Sequence, residues 1–351
     1  MQHTVTFPSG KTDYIFIKKD QPGNSSFEEV MLSYDTQHIV IVTNEHIAKL
    51  YANLFKSYKI LVVPAHESGK DLHTIESLAK QLLNMEASRD TLLIGIGGGV
   101  VTDITGFLAA VYMRGVSFGF VPTTLLGMAD AAIGGKNGVN LGLNKNLLGT
   151  IRQPQFILYD VNFLQTLPNI EWSNGFAEVI KYGCIFDGEL FAGLEHNNIA
   201  YYKQNDAALL SLVEKCVEWK NKTVIADEME TGERKLLNFG HTAAHAIENL
   251  YELPHGKAVA IGMVVACMIS EKVAGLGIEV TTRLKRLLQQ YHLPVSLSIN
   301  TSKAMELLRM DKKRKNDMID YIVLEKIGHA AIHSLPFTVI ENALNEYASH
   351  N

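Results

Sequence analysis

Cysteine is scarce in this chain of 351 residues, which contains only Cys184, Cys216 and Cys267. The three lie far apart in apolar segments with a helical pattern, and no pair has the Cys-x-x-Cys spacing of a zinc site. The sequence therefore predicts reduced thiols in the core of a cytoplasmic protein and argues against a disulfide framework.

A long hydrophobic run is also lacking. The longest apolar stretch, residues 258–269, is too short to cross a bilayer and contains Gly262. The first residues contain no basic segment followed by an apolar core, so we expect no secretory signal. These absences predict a soluble protein with no membrane partner.

An excess of positive charge is absent as well, because the formal net charge is -5 and the isoelectric point is near 6.2. Binding to nucleic acid requires a basic surface, so we expect no nucleic-acid partner. The one dense basic run, residues 312–315, is either a solvated loop or a group of cations that reaches an anionic ligand.

Hydrophobic residues make up 47% of the chain, which is enough for a large core in two domains. In the first part, short β-branched runs alternate with helical patterns, at residues 38–42, 59–63, 91–96, 116–121 and 155–159. This alternation predicts a parallel sheet with helices on both faces. We therefore predict a Rossmann-like α/β N-terminal domain, residues 1–160, and an all-α C-terminal domain, residues 161–351.

Loops at the carboxyl ends of such strands are the first candidates for a ligand site. The third run leads through three glycines, residues 97–99, into a helix, where backbone amides could approach a pyrophosphate. Val100 breaks the common GxGxxG pattern, so a purely structural turn is an equally good interpretation. Asn44, Glu67 and Lys70, in the two preceding strand loops, are candidate partners of an adenosine ribose.

Residues 112–146 are unusually rich in glycine and polar side chains. They contain few apolar residues that would favour a core position, but they supply backbone amides, hydroxyls and cations. We interpret this segment as a binding loop for an anionic small molecule rather than as a surface linker. Its candidate side chains are Arg114, Thr123, Thr124, Asp130, Lys136, Lys145 and Asn146.

Three histidines, His241, His245 and His255, stand within a short segment that otherwise has the pattern of a buried helix. His241 and His245 are four residues apart and share one helical face, whereas His255 follows a break at Pro254. A catalytic zinc commonly takes two histidines and a carboxylate. The spacing does not identify the carboxylate, and His245 also fits a core histidine bonded to a backbone carbonyl.

Charged side chains elsewhere in the helical half offer candidates for such a site. Glu178 and Lys181 lie three apart in an apolar helix, as either a surface ion pair or a buried carboxylate that needs a cation. A second group directly precedes the histidines and indicates either a polar cavity or an ordinary exposed loop. It consists of Lys220, Asp227, Glu228, Glu230, Arg234 and Asn238.

Eight segments in combination carry a more specific signal. They are, in order, GGGVVTDITGF, YMRG, PTTLL, DAAIGGKNGVN, NKNLLG, GFAEVIKYG, NFGHTAAHAIE and PHGKAVAIGM. From about residue 43 to residue 328, the chain resembles the 3-dehydroquinate synthase family of sugar phosphate cyclases. By the same resemblance, the fold is shared with metal-dependent alcohol and glycerol dehydrogenases.

The resemblance implies an enzyme of the shikimate pathway, and hence of aromatic amino acid biosynthesis. Its substrate would be 3-deoxy-D-arabino-heptulosonate 7-phosphate, converted to 3-dehydroquinate and phosphate. NAD+ would be used catalytically, without net redox change, and the metal would be zinc or cobalt. A homodimer is also implied, in which Arg114 reaches the substrate of the neighbouring subunit.

The resemblance further implies a role for each matching residue. The metal ligands would be Glu178, His241 and His255, and His245 would become a polar partner of the substrate phosphate. The catalytic group would be Asp130, Lys181, Glu230, Asn238 and His245. Substrate would be bound by Arg114, Lys136, Asn146, Lys220, Arg234 and one of Lys312 or Lys313. The cofactor would lie against Asn44, Glu67, Lys70, Gly99, Val100, Val101, Thr102, Asp103, Thr123, Thr124, Lys136, Lys145, Phe163, Leu164, Gln165 and Thr166.

Three other functions fit parts of this pattern. A cyclase acting on sedoheptulose 7-phosphate would not need a carboxylate clamp such as Lys220 with Arg234. A metal-dependent NAD(P) alcohol or polyol dehydrogenase would not need the phosphate-binding cations. A binding protein without catalytic activity is disfavoured, because every matched polar group is present.

Overall fold

The computed structural model describes residues 2–17, 27–34, 38–142, 144–309, 314–315 and 318–349. Its strands are β1 (Gln2–Phe7), β2 (Gly10–Phe16), β3 (Ile39–Asn44), β4 (Lys59–Val63), β5 (Leu92–Gly97), β6 (Ser117–Pro122), β7 (Lys136–Leu141), β8 (Asn144–Ile151), β9 (Phe156–Tyr159), β10 (Arg314–Lys315), β11 (Met318–Lys326) and β12 (His329–Pro336). Its helices are α1 (Phe27–Leu32), α2 (Glu45–Leu50), α3 (Leu72–Asn84), α4 (Gly99–Val111), α5 (Asn169–Ile185), α6 (Gly188–His196), α7 (Ile199–Gln204), α8 (Asp206–Ala226), α9 (His241–Tyr251), α10 (His255–Val273), α11 (Ile278–Gln290), α12 (Thr301–Arg309) and α13 (Phe337–Ser349).

The chain divides into two compact units, one of residues 1–167 with 206–229 and the other of residues 168–205 with 230–351. This division differs from the predicted boundary at residue 160, because α8 belongs to the first unit. Tyr14 in β2 donates a hydrogen bond to Asn221 in α8 over 2.6 Å. Long-range packing of this kind leaves no signal in the local periodicity of the sequence, so the sequence could not assign α8 to the first unit. The predicted domain boundary at residue 160 remains a prediction.

The first unit is built on a seven-stranded sheet in the order β1-β2-β9-β6-β5-β3-β4. All neighbours pair in parallel except β1, which is antiparallel to β2. The five predicted runs correspond to β3, β4, β5, β6 and β9, so the parallel sheet is confirmed. The prediction omits the β1–β2 hairpin, although alternate residues of β2 (Thr12, Tyr14 and Phe16) are buried as the strand period requires.

Buried aliphatic residues make β3 and β5 central strands of this sheet. Ile39, Ile41 and Ile94 are at most 1% exposed, as expected for parallel strands covered on both faces. β4 lies on one side of β3 and β5 on the other, so the strand order reverses between β3 and β5. Open α/β sheets bind ligands beside the carboxyl ends of strands at such a reversal.

The second unit is mainly helical and is centred on α10. Nearly every residue of α10 from Gly256 to Ser270 is buried, and the helix packs against α5, α9, α11, α13 and β11. The predicted combination of an α/β unit and a helical unit is confirmed, but the helical unit also contains a small sheet of β10, β11 and β12. Buried Ile319, Tyr321 and Val323 give β11 an apolar strand pattern that the all-α description leaves out.

Within the described part of the chain, no helix combines the length and apolar character needed to cross a bilayer.

Candidate active site

Three helices of the second unit bring a carboxylate and two imidazoles together. Oε1 of Glu178 in α5 lies 3.4 Å from Nε2 of His241 in α9 and 3.2 Å from Nε2 of His255 in α10. The candidate ligand atoms of the three residues all lie within 4.8 Å of one another. Glu178 is 0% exposed. The carboxylate that the histidine spacing leaves unidentified is therefore beside both imidazoles.

Glycine at two helix crossings permits this convergence. A Cβ atom added to Gly256, next to His255, would lie 2.5 Å from the Cα atom of Asn174 in α5. A Cβ atom added to Gly262 would lie 2.0 Å from the carbonyl oxygen of Gly240, which immediately precedes His241. Both distances are below any real contact, so only glycine lets these backbones approach so closely. The crossings thus set the positions of all three helices that carry ligand atoms.

Lys181 and the two imidazoles stabilise the buried charge of Glu178. Burial alone would raise the pKa of the Glu178 carboxyl, but Lys181 and the two imidazoles hold this pKa well below its ordinary range. Burial lowers the pKa of His241, and Lys181 lowers it further. Lys181 is 2% exposed and forms an ion pair with Glu178 Oε2. The surface ion pair considered from the sequence is therefore wrong, and Glu178 is a buried anion.

A polar group lies behind each imidazole. His241 Nδ1 lies 3.2 Å from the carbonyl oxygen of Phe239, which can accept its proton and leave the Nε2 lone pair directed at the cluster. His255 Nδ1 lies 3.6 Å from Glu248 Oε2. Burial alone would lower the pKa of His255, but Glu178 and Glu248 together raise it. A carboxylate or carbonyl behind a ligating imidazole is the usual support of a metal site.

The donor set matches a divalent metal of the zinc type. Two imidazole nitrogens and one carboxylate oxygen are the protein ligands of many catalytic zinc sites, in which a further position is left for water or substrate. Nε2 of His241 and Nε2 of His255 both face Glu178 Oε1. A cation bound among these atoms would take the place of the protons through which the imidazoles otherwise contact the carboxylate. Glu178, His241 and His255 could therefore hold such an ion.

Removing the charge of Glu248 should weaken metal binding without touching a ligand atom. We expect the Glu248→Gln variant to bind zinc about 10- to 100-fold more weakly, because the orienting carboxylate behind His255 is lost. Competition with a chromogenic chelator measures the dissociation constant. Glu252→Gln, at the exposed residue that directly follows α9, is the matched control and should bind zinc as the wild type does. Equal zinc affinity in Glu248→Gln and wild type would show that Glu248 does not support His255.

Other residues predicted for the site belong to the second unit and are near His241 in the sequence. His245 is exposed, with its ring centroid 5.8 Å from that of His241, so the alternative of a buried core histidine is wrong. Asn238 Nδ2 donates to Glu230 Oε1 over 2.6 Å, which joins two predicted catalytic residues. Arg234 is only 2% exposed although it carries a permanent charge.

In the first unit, the glycine-rich turn joins β5 to α4 at the reversal point of the sheet. The first amides of a helix have no acceptor within the helix, and α4 begins at Gly99. Thr123 and Thr124 follow β6 next to this turn, since Thr123 N donates to Gly97 O over 2.9 Å. The turn, the hydroxyls and the helix terminus together form a surface suited to a pyrophosphate.

Lys70 connects three predicted site residues of this unit. Its ammonium group forms an ion pair with Asp103 of α4 and donates to Asn146 Oδ1 over 2.5 Å. Glu67 Oε1 lies 3.8 Å away. Asp130 and Lys220 also meet, with 2.9 Å between Asp130 Oδ1 and Lys220 Nζ. The structure thus gathers these predicted residues into two polar groups.

Comparison with known proteins identifies the family. The N-terminal family model of 3-dehydroquinate synthase matches residues 60–174, and the C-terminal model matches residues 175–314. The chain belongs to the 3-dehydroquinate synthase family. The 3-dehydroquinate synthase of Campylobacter concisus is 42% identical over 302 residues, covering 83% of this chain and 86% of the relative. That of Coxiella burnetii is 42% identical over 308 residues, covering 84% and 86%.

Solved structures agree with membership of the 3-dehydroquinate synthase family. A 2-epi-5-epi-valiolone synthase from Streptomyces hygroscopicus, solved with NAD+ and Zn2+ bound, superposes with a TM-score of 0.87 at 27% identity and covers 99% of this chain and 100% of that one. A 2-deoxy-scyllo-inosose synthase has a TM-score of 0.85 at 23% identity, with the same coverage, and shares the fold. The family models and the curated relatives confirm the resemblance to 3-dehydroquinate synthase that the eight segments carry.

The remaining residues matched to the 3-dehydroquinate synthase family occupy varied positions. Asn44 caps α2 by accepting a hydrogen bond from Ile47 N over 2.9 Å. Phe163 and Leu164 are buried in the first unit, so only their backbone could face a nucleotide. Lys313, like Lys312, lies outside the described residues. The exposed members are Arg114, Lys136, Lys145, Gln165 and Thr166.

Sequence reasoning missed several residues that shape the candidate site. Gly256 and Gly262 are needed by close helix packing, and Glu248 supports His255. The only local signal was the position of Gly256 directly after a candidate histidine. Asn140, at the end of β7, was missed as well.

Proposed function

We propose that this chain converts 3-deoxy-D-arabino-heptulosonate 7-phosphate into 3-dehydroquinate and phosphate, with NAD+ used catalytically and zinc or cobalt as the metal. The observation that carries the proposal is the convergence of buried Glu178 with the partly exposed His241 and His255 from three helices. It occurs in a chain about 40% identical to several 3-dehydroquinate synthases over most of its length. A phosphorylated sugar is accordingly the class of substrate.

In this proposal the helical unit controls the reacting hydroxyls. A bound divalent cation would lower the pKa of a substrate hydroxyl and stabilise negative charge that develops on its oxygen. Glu178, His241 and His255 would hold that cation, while Lys181 would offset the charge of the buried carboxylate. Glu230 would act as acid and base through water at the same hydroxyls. Asn238, which donates a hydrogen bond to Glu230, would lie beside those hydroxyls.

The α/β unit would hold the cofactor. The chemistry that NAD+ would supply there is reversible hydride transfer with no net oxidation of the substrate. Gly99 to Asp103, at the start of α4, would face the pyrophosphate, and Glu67 would face the adenosine ribose. Support comes from the valiolone synthase of 27% identity, which is described with NAD+ and Zn2+ bound.

Several polar side chains, most of them cationic, would bind the phosphate before it leaves. We assign Arg114, Lys136, Asn146, His245 and one of Lys312 or Lys313 to this grip. A phosphate held next to the acidified proton could remove that proton itself as it departs. The chain would then need no separate strong base for the elimination.

Two further cations would distinguish the sugar acid from other sugar phosphates. Lys220 and Arg234 would bind the substrate carboxylate. A cyclase for sedoheptulose 7-phosphate has no carboxylate to bind and would leave two such cations without a partner in the substrate. A metal-dependent alcohol dehydrogenase would have no phosphate to bind.

The proposal extends to assembly and location. We propose a homodimer in the cytoplasm, with Arg114 supplied to the site of the neighbouring subunit. Arg114 is exposed and ends the short helix Tyr112–Arg114 that follows α4. No nucleic-acid or membrane partner is part of the proposal.

A stoichiometry assay tests the proposed reaction. Purified protein is given the heptulosonate phosphate, zinc and an amount of NAD+ far below the substrate. We expect phosphate release that exceeds the NAD+ present many times over, with no accumulation of NADH absorbance, because each hydride is returned. Steady NADH formation would instead indicate a dehydrogenase. Turnover only with sedoheptulose 7-phosphate would indicate the other cyclase.

A further inference from the structure

Asn140 makes hydrogen bonds in two directions at the end of β7. Its backbone N donates to Lys70 O over 2.7 Å, and its side-chain Nδ2 donates to Glu67 Oε1 over 2.9 Å and Glu67 O over 3.3 Å. Its Oδ1 accepts from the backbone N of Asn146 over 2.8 Å. Asn140 therefore ties the loop after β4 to the start of β8.

Asn146 has an unusual backbone conformation that these bonds stabilise. Its φ of 51° lies in the left-handed region, which asparagine tolerates better than most residues. The residue is exposed, so packing around its side chain does not fix it. The bond from its N–H to Asn140 Oδ1 is thus a specific restraint on its backbone.

Lys70 fixes the direction of the Asn146 amide. An ammonium group can only donate, so the atom of Asn146 that faces Lys70 Nζ at 2.5 Å must be the carbonyl Oδ1. The Nδ2 group of Asn146 then points away from Lys70 as a hydrogen-bond donor. Lys70 is 3% exposed and is itself paired with Asp103, so this orientation rests on a buried group.

We infer that Asn140 is a positioning residue, which together with Lys70 presents the Asn146 amide as a donor to the substrate phosphate. The inference rests on the proposed function, in which Asn146 belongs to the phosphate grip. It adds that Asn140 acts through Asn146 and does not touch the substrate. Asparagine is required at position 140 because one side chain must accept from Asn146 and donate to Glu67 at the same time.

A double-mutant cycle tests this inference. We expect Asn140→Ala to raise the KM for the sugar phosphate about tenfold, with a much smaller change in kcat, because lost hydrogen bonds to a binding group weaken ground-state binding. Asn146→Ala should have a similar effect. If Asn140 acts through Asn146, the double variant should be no worse than Asn146→Ala alone. Effects that multiply in the double variant would overturn the inference.

Direct binding separates this inference from the proposed function. Titration calorimetry with inorganic phosphate, in the presence of NAD+ and zinc, should show the same non-multiplying pattern as KM. Leu141→Ala, at an exposed neighbour on β7 (48% exposed), is the matched control and should bind phosphate as the wild type does. A wild type that binds phosphate without turnover would remove the proposed function, and the binding series would still decide the role of Asn140. Absence of phosphate binding by the wild type, or equal binding by wild type and Asn140→Ala, would overturn the inference.

Discussion

The Glu178→Gln variant should bind no stoichiometric zinc and should lose activity by about a thousandfold or more. The substitution keeps the shape of the side chain and removes the only carboxylate in the three-residue group. A catalytic metal contributes several kcal/mol to stabilising charge in the transition state, and each ~1.4 kcal/mol is a factor of ten in rate. Metal content by atomic emission and phosphate release measure the two effects.

Two comparisons make the Glu178→Gln result specific. Chelation followed by added zinc should restore activity to the wild type but not to the variant. Glu189→Gln, an exposed carboxylate on α6 of the same unit, should retain metal and activity. Because Glu178 also forms an ion pair with buried Lys181, thermal unfolding should confirm that the variant is folded. A folded Glu178→Gln protein that retains one tightly bound zinc would contradict the assignment of this ligand.

Adding a single methyl group at Gly256 should weaken zinc binding, although Gly256 contributes no ligand atom. A Cβ atom there would lie 2.5 Å from the Asn174 Cα atom and 2.6 Å from its carbonyl oxygen. Because backbone cannot move aside cheaply, we expect Gly256→Ala to lower the free energy of unfolding by about 1–3 kcal/mol. Moving His255 relative to Glu178 should also weaken zinc binding by at least about tenfold.

Gly193→Ala provides the matched control for Gly256→Ala. Gly193 lies in α6, and an added Cβ atom there meets no other atom within 4 Å. Alanine is the better helix former, so this variant should be unchanged or more stable by up to about 1 kcal/mol. Denaturant unfolding and zinc titration on both variants give the comparison. Equal stability and zinc affinity in the two variants would show that the crossing of α5 and α10 is not what positions His255.

Local pattern was enough to predict much of the fold. The parallel strands β3, β4, β5, β6 and β9 are short β-branched runs between helical patterns, and local composition specifies such elements well. The histidine segment likewise predicted a metal site from helical spacing. Spacing could not identify Glu178, because a carboxylate from another helix is brought close only by tertiary packing. The family resemblance identified Glu178, and the structure places it beside both histidines.

Features that depend on contacts between residues far apart in the sequence could not be predicted from local sequence patterns. The requirement for glycine at the two helix crossings can be recognised only when the backbone that faces each glycine is known. Asn140 would be read as an ordinary strand residue, since its partners Glu67 and Asn146 are brought to it by the fold. The assignment of α8 to the first unit depends on contacts such as that between Tyr14 and Asn221.

The return of α8 to the first unit has a consequence for biosynthesis. Residues 206–229 complete that unit, yet the ribosome releases residues 168–205 of the helical unit before them. During synthesis, the first unit therefore cannot reach its full set of native contacts until part of the second unit has already emerged. A fragment that stops at residue 167 would lack Asn221 and Lys220, and it would expose the surfaces of β1 and β2 that α8 covers.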